Sequence, residues 1–150
     1  MATEFRATLR RSVDLFSAFR LEQTRPDVFY GALAADSAAQ VDSYLPLRGS
    51  RVLDVGGGPG CFADAFEARG ATYVPLDADA GELALHGREP GPRTVLGDGT
   101  RLPFADGAFD VAYSSNVAEH VAQPWLMADE MVRVTRPGGL LFLSYTLWYG

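Results

Sequence analysis

The sequence has 150 residues, of which 47% are hydrophobic and 21% are charged, and this balance is typical of a single soluble globular domain. A chain of this length buries roughly 68–70% of the surface that its unfolded form exposes, so its core needs no disulfide or structural metal. All 13 basic residues are arginines, and with 19 carboxylates they give a net charge of −6, which disfavours binding to the phosphates of a nucleic acid.

Two amphipathic helices are predicted to precede the rest of the fold. Apolar residues three to four positions apart indicate the first helix, namely Phe5, Leu9, Val13, Phe16 and Phe19. Pro26 suits the first turn of a second helix, which Pro46 and Gly49 would end. We therefore expect residues 1–48 to form an N-terminal helical cap and residues 49–150 to form the main domain.

From residue 51 onward, short apolar runs alternate with segments of helical spacing. The runs predict strands over residues 52–55, 72–76, 94–96, 109–114 and 140–148. Helices are predicted over residues 62–69, 81–85 and 124–136. This alternation predicts an α/β fold, a doubly wound parallel sheet of about five strands with helices on both faces and an N-terminal helical extension.

The first predicted strand ends in a glycine-rich turn, Gly56-Gly57-Gly58-Pro59-Gly60. A turn of this kind between a strand and a helix lets the backbone approach a ligand and directs N–H groups at it. Its G-x-G-x-G spacing differs from the dinucleotide fingerprint, which needs a third glycine where Cys61 stands. Pro59 removes one N–H, and the chain has no lysine for a Walker motif. Glycines can also serve such a tight turn for steric reasons alone.

Carboxylates accompany the ends of the first three predicted strands. Asp54 lies in the first strand, and Asp77 follows the second, nineteen residues after Gly58, where a carboxylate can accept two hydrogen bonds from a ribose diol. Asp98 follows the third strand, where its carboxylate can accept a hydrogen bond from an exocyclic amine. The apolar run 102–104 comes next and offers a surface that suits a purine ring. Several carboxylates around one site favour a cationic ligand over a polyphosphate. Each aspartate taken alone can equally be a turn or helix-cap residue.

These motifs, together with the segment 133–139 (Arg-Val-Thr-Arg-Pro-Gly-Gly), resemble class I S-adenosylmethionine-dependent methyltransferases of the small-molecule and lipid-modifying type. The resemblance covers residues 50–145 and implies a Rossmann-like sheet with S-adenosylmethionine as the cofactor. It implies the following cofactor contacts: Asp54, Gly56, Gly57, Gly58 and Gly60 at the methionine end, Asp77 at the ribose, Asp98, Gly99 and Thr100 at the adenine, and Ser115 and Asn116 at the amino acid portion.

Methyl transfer from a sulfonium requires mainly proximity, orientation and exclusion of water. For a hydroxyl acceptor, His120 is the candidate catalytic base, because histidine is the side chain that most often accepts a proton in catalysis and His120 follows the fourth predicted strand on the ligand side. The sequence favours another interpretation, in which Glu119 and His120 form a hydrogen-bonded pair that fixes their loop. Several aromatic residues could form a lid over an apolar acceptor, although most such residues belong to the core: Phe16, Phe19, Phe29, Tyr30, Trp125, Trp148 and Tyr149.

The single cysteine, Cys61, and the lack of a Cys/His cluster indicate a reducing cytoplasm and predict no metal site. Charged residues interrupt the first twenty positions, which argues against a secretion signal. The longest apolar stretch, residues 138–150, is shorter than the roughly 18 residues of a membrane span. We therefore expect a cytoplasmic protein with a small-molecule or lipid substrate and no nucleic-acid partner.

Two alternative functions remain open at this point. A protein that binds the cofactor without catalysing transfer would keep the pocket and lack an acceptor site. An NAD-dependent oxidoreductase is compatible with Asp77 but is disfavoured by Pro59 and Cys61. The resembling family has a seven-stranded sheet, whereas this chain stops at strand five. We expect it to be the N-terminal part of a longer enzyme, with an exposed strand-five edge that allows self-association.

Overall fold

The computed structural model describes residues 8–81 and 91–144. Within these residues the elements, in chain order, are α1 (Leu9–Phe19), α2 (Pro26–Tyr44), β1 (Arg51–Val55), α3 (Ala63–Glu67), β2 (Thr72–Asp77), β3 (Val95–Leu96), β4 (Phe109–Ser115), a 3-10 helix (Ala118–His120), α4 (Pro124–Val134) and β5 (Thr135–Ser144). The helix predicted over residues 81–85 lies outside the described residues, except for Gly81.

The strands form one parallel sheet in the order β3-β2-β1-β4-β5. The chain runs outward from β1 to β3 and then returns to place β4 on the other side of β1. The carboxyl ends of β1 and β4 therefore flank the point where the strand order reverses, which is where open α/β sheets bind their ligands. The predicted fold class, a doubly wound Rossmann-like sheet, is confirmed.

Helices cover both faces of the sheet, and each face has its own core. The core on the α4 side contains Leu53, Val55, Val74, Leu76, Leu102, Phe109, Ala112, Met127, Met131 and Val134. The core on the side of α2 and α3 contains Ala38, Val41, Leu47, Val52, Phe66, Ala71, Tyr73, Val111 and Tyr113. Because residues 52–55 of β1 are buried on both faces, they form an apolar run rather than an alternating pattern, and Asp54 is the exception within that run.

Both predicted N-terminal helices form within the described residues, whereas Phe5, which the first predicted helix includes, lies outside them. The Thr8 hydroxyl caps α1 by accepting a hydrogen bond of 3.2 Å from the Arg11 N–H, and α2 begins at Pro26. Helix α1 packs against α2, whereas α2 itself packs on α3 and contributes Ala38 to the core. The division into a cap over residues 1–48 and a main domain stays a prediction.

The fifth strand begins earlier than predicted, because α4 ends at Val134 and Thr135 already pairs with Phe109. The ladder is irregular over the next residues and resumes where Leu140 pairs with Val111. A turn with Gly138 at φ +76° lies within this irregularity. The predicted strand residues 145–148 lie outside the described part.

None of the helices in the described ranges is long and apolar enough to cross a membrane. In residues 8–81 and 91–144, no group of three or more His, Cys, Asp or Glu side chains is arranged to hold a metal ion.

Strand β5 is an edge of the described sheet, and the Leu141 and Leu143 side chains are 37% and 38% exposed there. We expect the 150-residue chain to self-associate through this edge, because no described strand pairs with its outer side and an unpaired edge can bind another strand. Sedimentation velocity over a concentration series should show dimers or larger species. A Leu143→Lys variant should shift the chain toward monomer, whereas Val132→Lys, on the exposed face of α4, should not. A wild-type chain that stays monomeric throughout would contradict the prediction.

Candidate functional site

A cavity of about 970 Å³ opens at the carboxyl ends of β1 and β4. This volume lies in the range of small-molecule sites, roughly 300–1,000 Å³. The turn after β1 and the ends of β2, β4 and β5 form its floor, and α1 and α2 form its roof. Eight of the predicted site residues line it: Asp54, Gly56, Gly57, Gly58, Asp77, Ser115, Asn116 and His120.

The glycine turn has the backbone geometry that only glycine adopts easily. Gly56 and Gly58 have φ values of +80° and +49°. The N–H groups of Gly56 and Gly57 both donate to the Leu76 carbonyl, at 2.8 and 3.1 Å, which fastens the turn to β2. Gly58 is buried, yet a Cβ atom on it would meet nothing within 4 Å, so the space beside it belongs to the cavity. The turn therefore leaves room for a ligand against its backbone.

Gly56 also touches the loop that follows β4. A Cβ atom on Gly56 would lie 2.8 Å from Cγ1 of Val117 and closer still to its Cγ2 atom. The Val117 side chain thus occupies the place that a side chain at residue 56 would take. The loop that leads from β4 into the 3-10 helix rests on the glycine turn.

Asp54 is the buried carboxylate of the site, with 3% of its surface exposed. The Tyr73 hydroxyl on the neighbouring strand donates a hydrogen bond to its Oδ2 atom. Burial raises the pKa of Asp54 to about 7, the negative charge of Asp77 adds to the rise, and the Tyr73 hydrogen bond opposes it. A cation beside Asp54 would stabilise its ionised form.

Asp77 holds the glycine turn in place. Its Oδ2 atom accepts a hydrogen bond of 3.1 Å from the Gly58 N–H, and its Oδ1 atom accepts one of 3.0 Å from the Asp79 N–H. The parallel register pairs Val55 with Leu76, which brings the residue after each of them to the same edge. The sequence predicts that Asp77 lies near the glycine turn, but it does not predict the hydrogen bond between Asp77 and the Gly58 N–H.

Four predicted cofactor residues do not line the cavity: Gly60, Asp98, Gly99 and Thr100. The exposed Asp98 side chain accepts two hydrogen bonds of 2.8 Å, from the Thr100 N–H and the Thr100 hydroxyl, and they lower its pKa. A Cβ atom on Gly99 would lie 3.0 Å from Val55 Cγ1, so this glycine packs closely on β1. The Asp98 contacts are those of a turn residue, and a role of these residues in binding adenine stays a prediction.

The roof of the cavity contains a group of aromatic side chains. The Phe19 and Phe29 rings lie 5.8 Å apart, the Phe29 and Tyr30 rings lie 5.1 Å apart, and all three line the cavity. These three side chains therefore lie where a lid over an acceptor would lie, and not in the hydrophobic core. Phe16 and Trp125 are exposed and do not line the cavity, and Trp148 and Tyr149 lie outside the described residues.

An ion pair joins the two helices of the roof. The Arg11 guanidinium on α1 donates to both carboxylate oxygens of Asp36 on α2, each at 2.6 Å, and both residues line the cavity. This fork-to-fork geometry is the strongest form of an arginine–carboxylate contact. Sequence reasoning missed this pair, because the two residues are 25 positions apart on helices whose relative placement no local pattern encodes.

Tyr113 is a second residue that sequence reasoning missed. It lies on β4 and lines the cavity, and its hydroxyl is buried without a hydrogen-bond partner among the described residues. The hydroxyls of Ser37 and Ser115 approach it and lower its pKa, but burial outweighs them and raises the pKa to about 12. Alternation along β4 places Tyr113 on the same face as Ser115, and this signal could have identified it.

His120 ends the 3-10 helix and lies exposed at the cavity mouth, beside Glu119. Both side chains belong to the described part of the chain, where no hydrogen bond or ion pair joins them. The structure therefore gives no support to the paired arrangement that the sequence favoured. Whether His120 acts in catalysis stays a prediction.

Comparison with known proteins places this chain in a family. Residues 53–143, more than half of the chain, match the methyltransferase domain family. The chain belongs to this methyltransferase family. An uncharacterized methyltransferase from Mycolicibacterium gilvum is 55% identical over 158 residues, which cover 97% of this chain and 60% of that protein. The methyltransferase chain therefore spans about three fifths of the length of this curated relative.

Solved structures agree with this methyltransferase assignment. An S-adenosylmethionine-dependent methyltransferase from Mesorhizobium loti is 28% identical, with a TM-score of 0.55, over 65% of this chain and 47% of that one. CalS10, an amino pentose methyltransferase from Micromonospora echinaspora solved with S-adenosylmethionine bound, has a TM-score of 0.68 at 22% identity and covers 97% of this chain and 60% of that one. The latter similarity concerns the fold. The resemblance to class I methyltransferases is confirmed.

Proposed function

We propose that the chain binds S-adenosylmethionine in the cavity and that the protein transfers its methyl group to a small-molecule or lipid acceptor. The observation that carries this proposal is the convergence of Asp54, Asp77 and the glycine turn on one cavity. S-adenosylmethionine carries a sulfonium and an ammonium, which two carboxylates attract. A dinucleotide brings a pyrophosphate, which the same carboxylates repel.

The residues present fit the cofactor in a specific way. Asp54 and the glycine turn would hold the methionine end, with Ser115 and Asn116 at its amino acid portion. Asp77 would accept the ribose hydroxyls, since each of its oxygens already takes one backbone N–H and keeps a second lone pair. Strand β3 lies next to β2 in the sheet. The residues that follow β3, namely Asp98, Gly99 and Thr100, would therefore contact the adenine.

When bound, the cofactor supplies a methyl group that its sulfonium already activates for in-line displacement. The chain's own residues then have to orient the two reactants and exclude water. The aromatic roof fits the second task, because Phe19, Phe29 and Tyr30 present apolar surface to the cavity. The acceptor would enter between this roof and the glycine turn.

Isothermal titration calorimetry with S-adenosylmethionine, S-adenosylhomocysteine and NADH tests this proposal. We expect both adenosyl ligands to bind with one-to-one stoichiometry and NADH to give no heat. Tighter binding of NADH would support the oxidoreductase alternative and contradict the proposal. Binding of the adenosyl ligands by a full-length protein that transfers no methyl group to any acceptor would favour the non-catalytic alternative.

His120 is the proposed general base for a hydroxyl acceptor. We expect His120→Ala to lower turnover by roughly 10²–10⁴-fold and to leave the affinity for S-adenosylhomocysteine nearly unchanged, because the side chain lies at the cavity mouth. Initial rates in the full-length protein and calorimetry would measure the two effects. A Glu119→Gln variant serves as the neighbouring control. A drop in melting temperature with unchanged turnover per folded molecule would indicate a structural role instead.

A further inference from the structure

The segment 133–139 contributes to the family resemblance, but the proposed cofactor contacts give it no role. Its first residue, Arg133, lies near the end of α4 and forms an ion pair with Glu130 on the same helix. Two hydrogen bonds join them, from Nε to Oε1 at 2.6 Å and from Nη2 to Oε2 at 2.7 Å. This fork-to-fork contact fixes the geometry of both side chains. The hydrogen bonds from Arg133 lower the pKa of Glu130, so its carboxylate stays ionised at neutral pH.

This α4 ion pair, Glu130 with Arg133, holds the segment 102–106 against α4. The Leu102 N–H donates to Oε2 of Glu130 at 2.8 Å, and Nη2 of Arg133 donates to the Leu102 carbonyl at 3.1 Å. Nη1 of Arg133 donates to the Phe104 carbonyl at 2.9 Å and to Oδ1 of Asp106 at 2.7 Å. All five N–H groups of the guanidinium thus have acceptors, and three of these acceptors lie in the segment.

Residues 98–101 are consequently attached to the fold at both ends. Before them, the Gly97 N–H donates to the Asp77 carbonyl at 2.8 Å. After them, the N–H and the carbonyl of Leu102 are both bonded to the α4 ion pair. Because the span between these attachments is short, its position depends on both of them.

The turn at Asp98 inside this span lies beside the end of β1. A Cβ atom on Gly99 would lie 3.0 Å from Cγ1 of Val55, the last residue of that strand. Both hydrogen bonds from Thr100 go to Oδ1 of Asp98, so they orient the carboxylate without engaging Oδ2. In the proposed cofactor site, Oδ2 would accept a hydrogen bond from the exocyclic amine of adenine. That contact requires the turn to be in the right place.

We propose that Glu130 and Arg133 form a positioning pair that fixes the Asp98 carboxylate and thereby determines the preference for adenine over purines without the exocyclic amine. Neither residue is among the described residues that line the cavity, so the pair acts through the segment after β3 and not on the ligand. This inference rests on the proposed function, since it takes the adenine contact of Asp98 from it.

Calorimetry with S-adenosylhomocysteine and its deamino analogue tests this inference. In the analogue a hydrogen replaces the exocyclic amine of adenine, so no hydrogen bond to Asp98 can form. We expect the wild-type chain to prefer S-adenosylhomocysteine, and Arg133→Lys to reduce this preference by roughly two- to tenfold. A lysine keeps the positive charge but cannot form the fork. Glu130→Gln, which removes the carboxylate, should also reduce the preference.

Arg136→Lys is the matched control. Nε of Arg136 donates to Oδ1 of Asp110 at 2.5 Å, and the Arg51 N–H donates to Oδ2 of the same carboxylate at 2.7 Å. This pair therefore also combines an arginine, a carboxylate and a backbone N–H. Arg51 begins β1, which places the pair at the amino edge of the sheet, away from the cavity. Arg136→Lys should leave the preference for S-adenosylhomocysteine unchanged, even if it lowers the melting temperature.

Asp98→Ala completes a double-mutant cycle. Alone it should remove the preference for S-adenosylhomocysteine, and the addition of Arg133→Lys should then change the preference no further. Three results would each overturn the inference: equal binding of both ligands by the wild-type chain, an unchanged preference in Arg133→Lys and Glu130→Gln, or a loss of affinity in these variants that is the same for both ligands. The last result would indicate a purely structural role. Failure of the wild-type chain to bind S-adenosylhomocysteine would instead contradict the proposed function.

Discussion

Replacement of Asp54 by asparagine should weaken S-adenosylmethionine binding at pH 8 by roughly 10- to 150-fold and remove its pH dependence. The loss reflects a buried carboxylate facing a cationic ligand, for which charged hydrogen bonds contribute about 1.5–3 kcal/mol. In the wild-type chain the carboxyl has a pKa of about 7 and must lose its proton before the cation binds. Affinity should therefore rise with pH up to about 7 and level off above it.

Calorimetry between pH 5.5 and 8.5 measures this profile, and Tyr73→Phe provides a directed comparison. The Tyr73 hydrogen bond lowers the pKa of Asp54, so its removal should shift the midpoint of the profile to higher pH. A wild-type affinity that does not change between pH 6 and pH 8 would rule out titration of Asp54 in this range.

The same titration has a consequence for folding stability. The pKa of Asp54 is higher in the folded chain than in the unfolded chain, so the folded state binds more protons between about pH 4 and pH 7. The stabilisation that protonated Asp54 adds to the free energy of unfolding is fully present below about pH 4, and it is lost as the pH rises through about 7. In the absence of ligand, Asp54→Asn should reduce the decline in stability between pH 5 and pH 8.

Replacement of Asp77 by alanine should weaken S-adenosylmethionine binding by roughly 5- to 150-fold, which corresponds to about 1–3 kcal/mol. Two losses combine in this variant. The ribose hydroxyls would lose their acceptor, and the Gly58 N–H would lose the carboxylate that positions the glycine turn. Calorimetry on the folded variant measures the change.

Asp79→Ala is the matched control for this variant. This variant removes the same negative charge two residues along the chain. The Asp79 side chain is exposed and does not line the cavity, so the affinity for S-adenosylmethionine should change little. A folded Asp77→Ala chain with wild-type affinity would refute the assignment of Asp77 to the ribose.

The sheet and its ligand edge were predictable, because local patterns determine them. The apolar run before Gly56 marks β1, and parallel pairing of β1 with β2 necessarily brings Asp77 to the glycine turn. The start of β5 was not predictable, since Thr135 joins the sheet before the irregular segment around Gly138. An alternating pattern of apolar and polar residues cannot predict a strand whose pairing is interrupted directly after its first residue.

The roof and the floor of the cavity required the structure. Arg11 and Asp36 look like ordinary solvated helix residues in the sequence, and their pairing depends on how α1 crosses α2. Tyr113 sits in an apolar strand and resembles any core tyrosine. Its place in the cavity lining depends on how α2 and the glycine turn are arranged over β4, which is a property of the folded surroundings and not of the strand.

The close packing of Val117 on Gly56 connects the two halves of the proposed reaction. The loop that bears Val117 continues into the 3-10 helix that ends at His120, and Gly56 begins the turn proposed to hold the methionine end of the cofactor. Two loops in van der Waals contact cannot move independently beyond the slack in that contact. A ligand that immobilises the glycine turn would therefore also restrict the loop that carries His120. On the proposed function, cofactor binding would position the histidine before the acceptor binds.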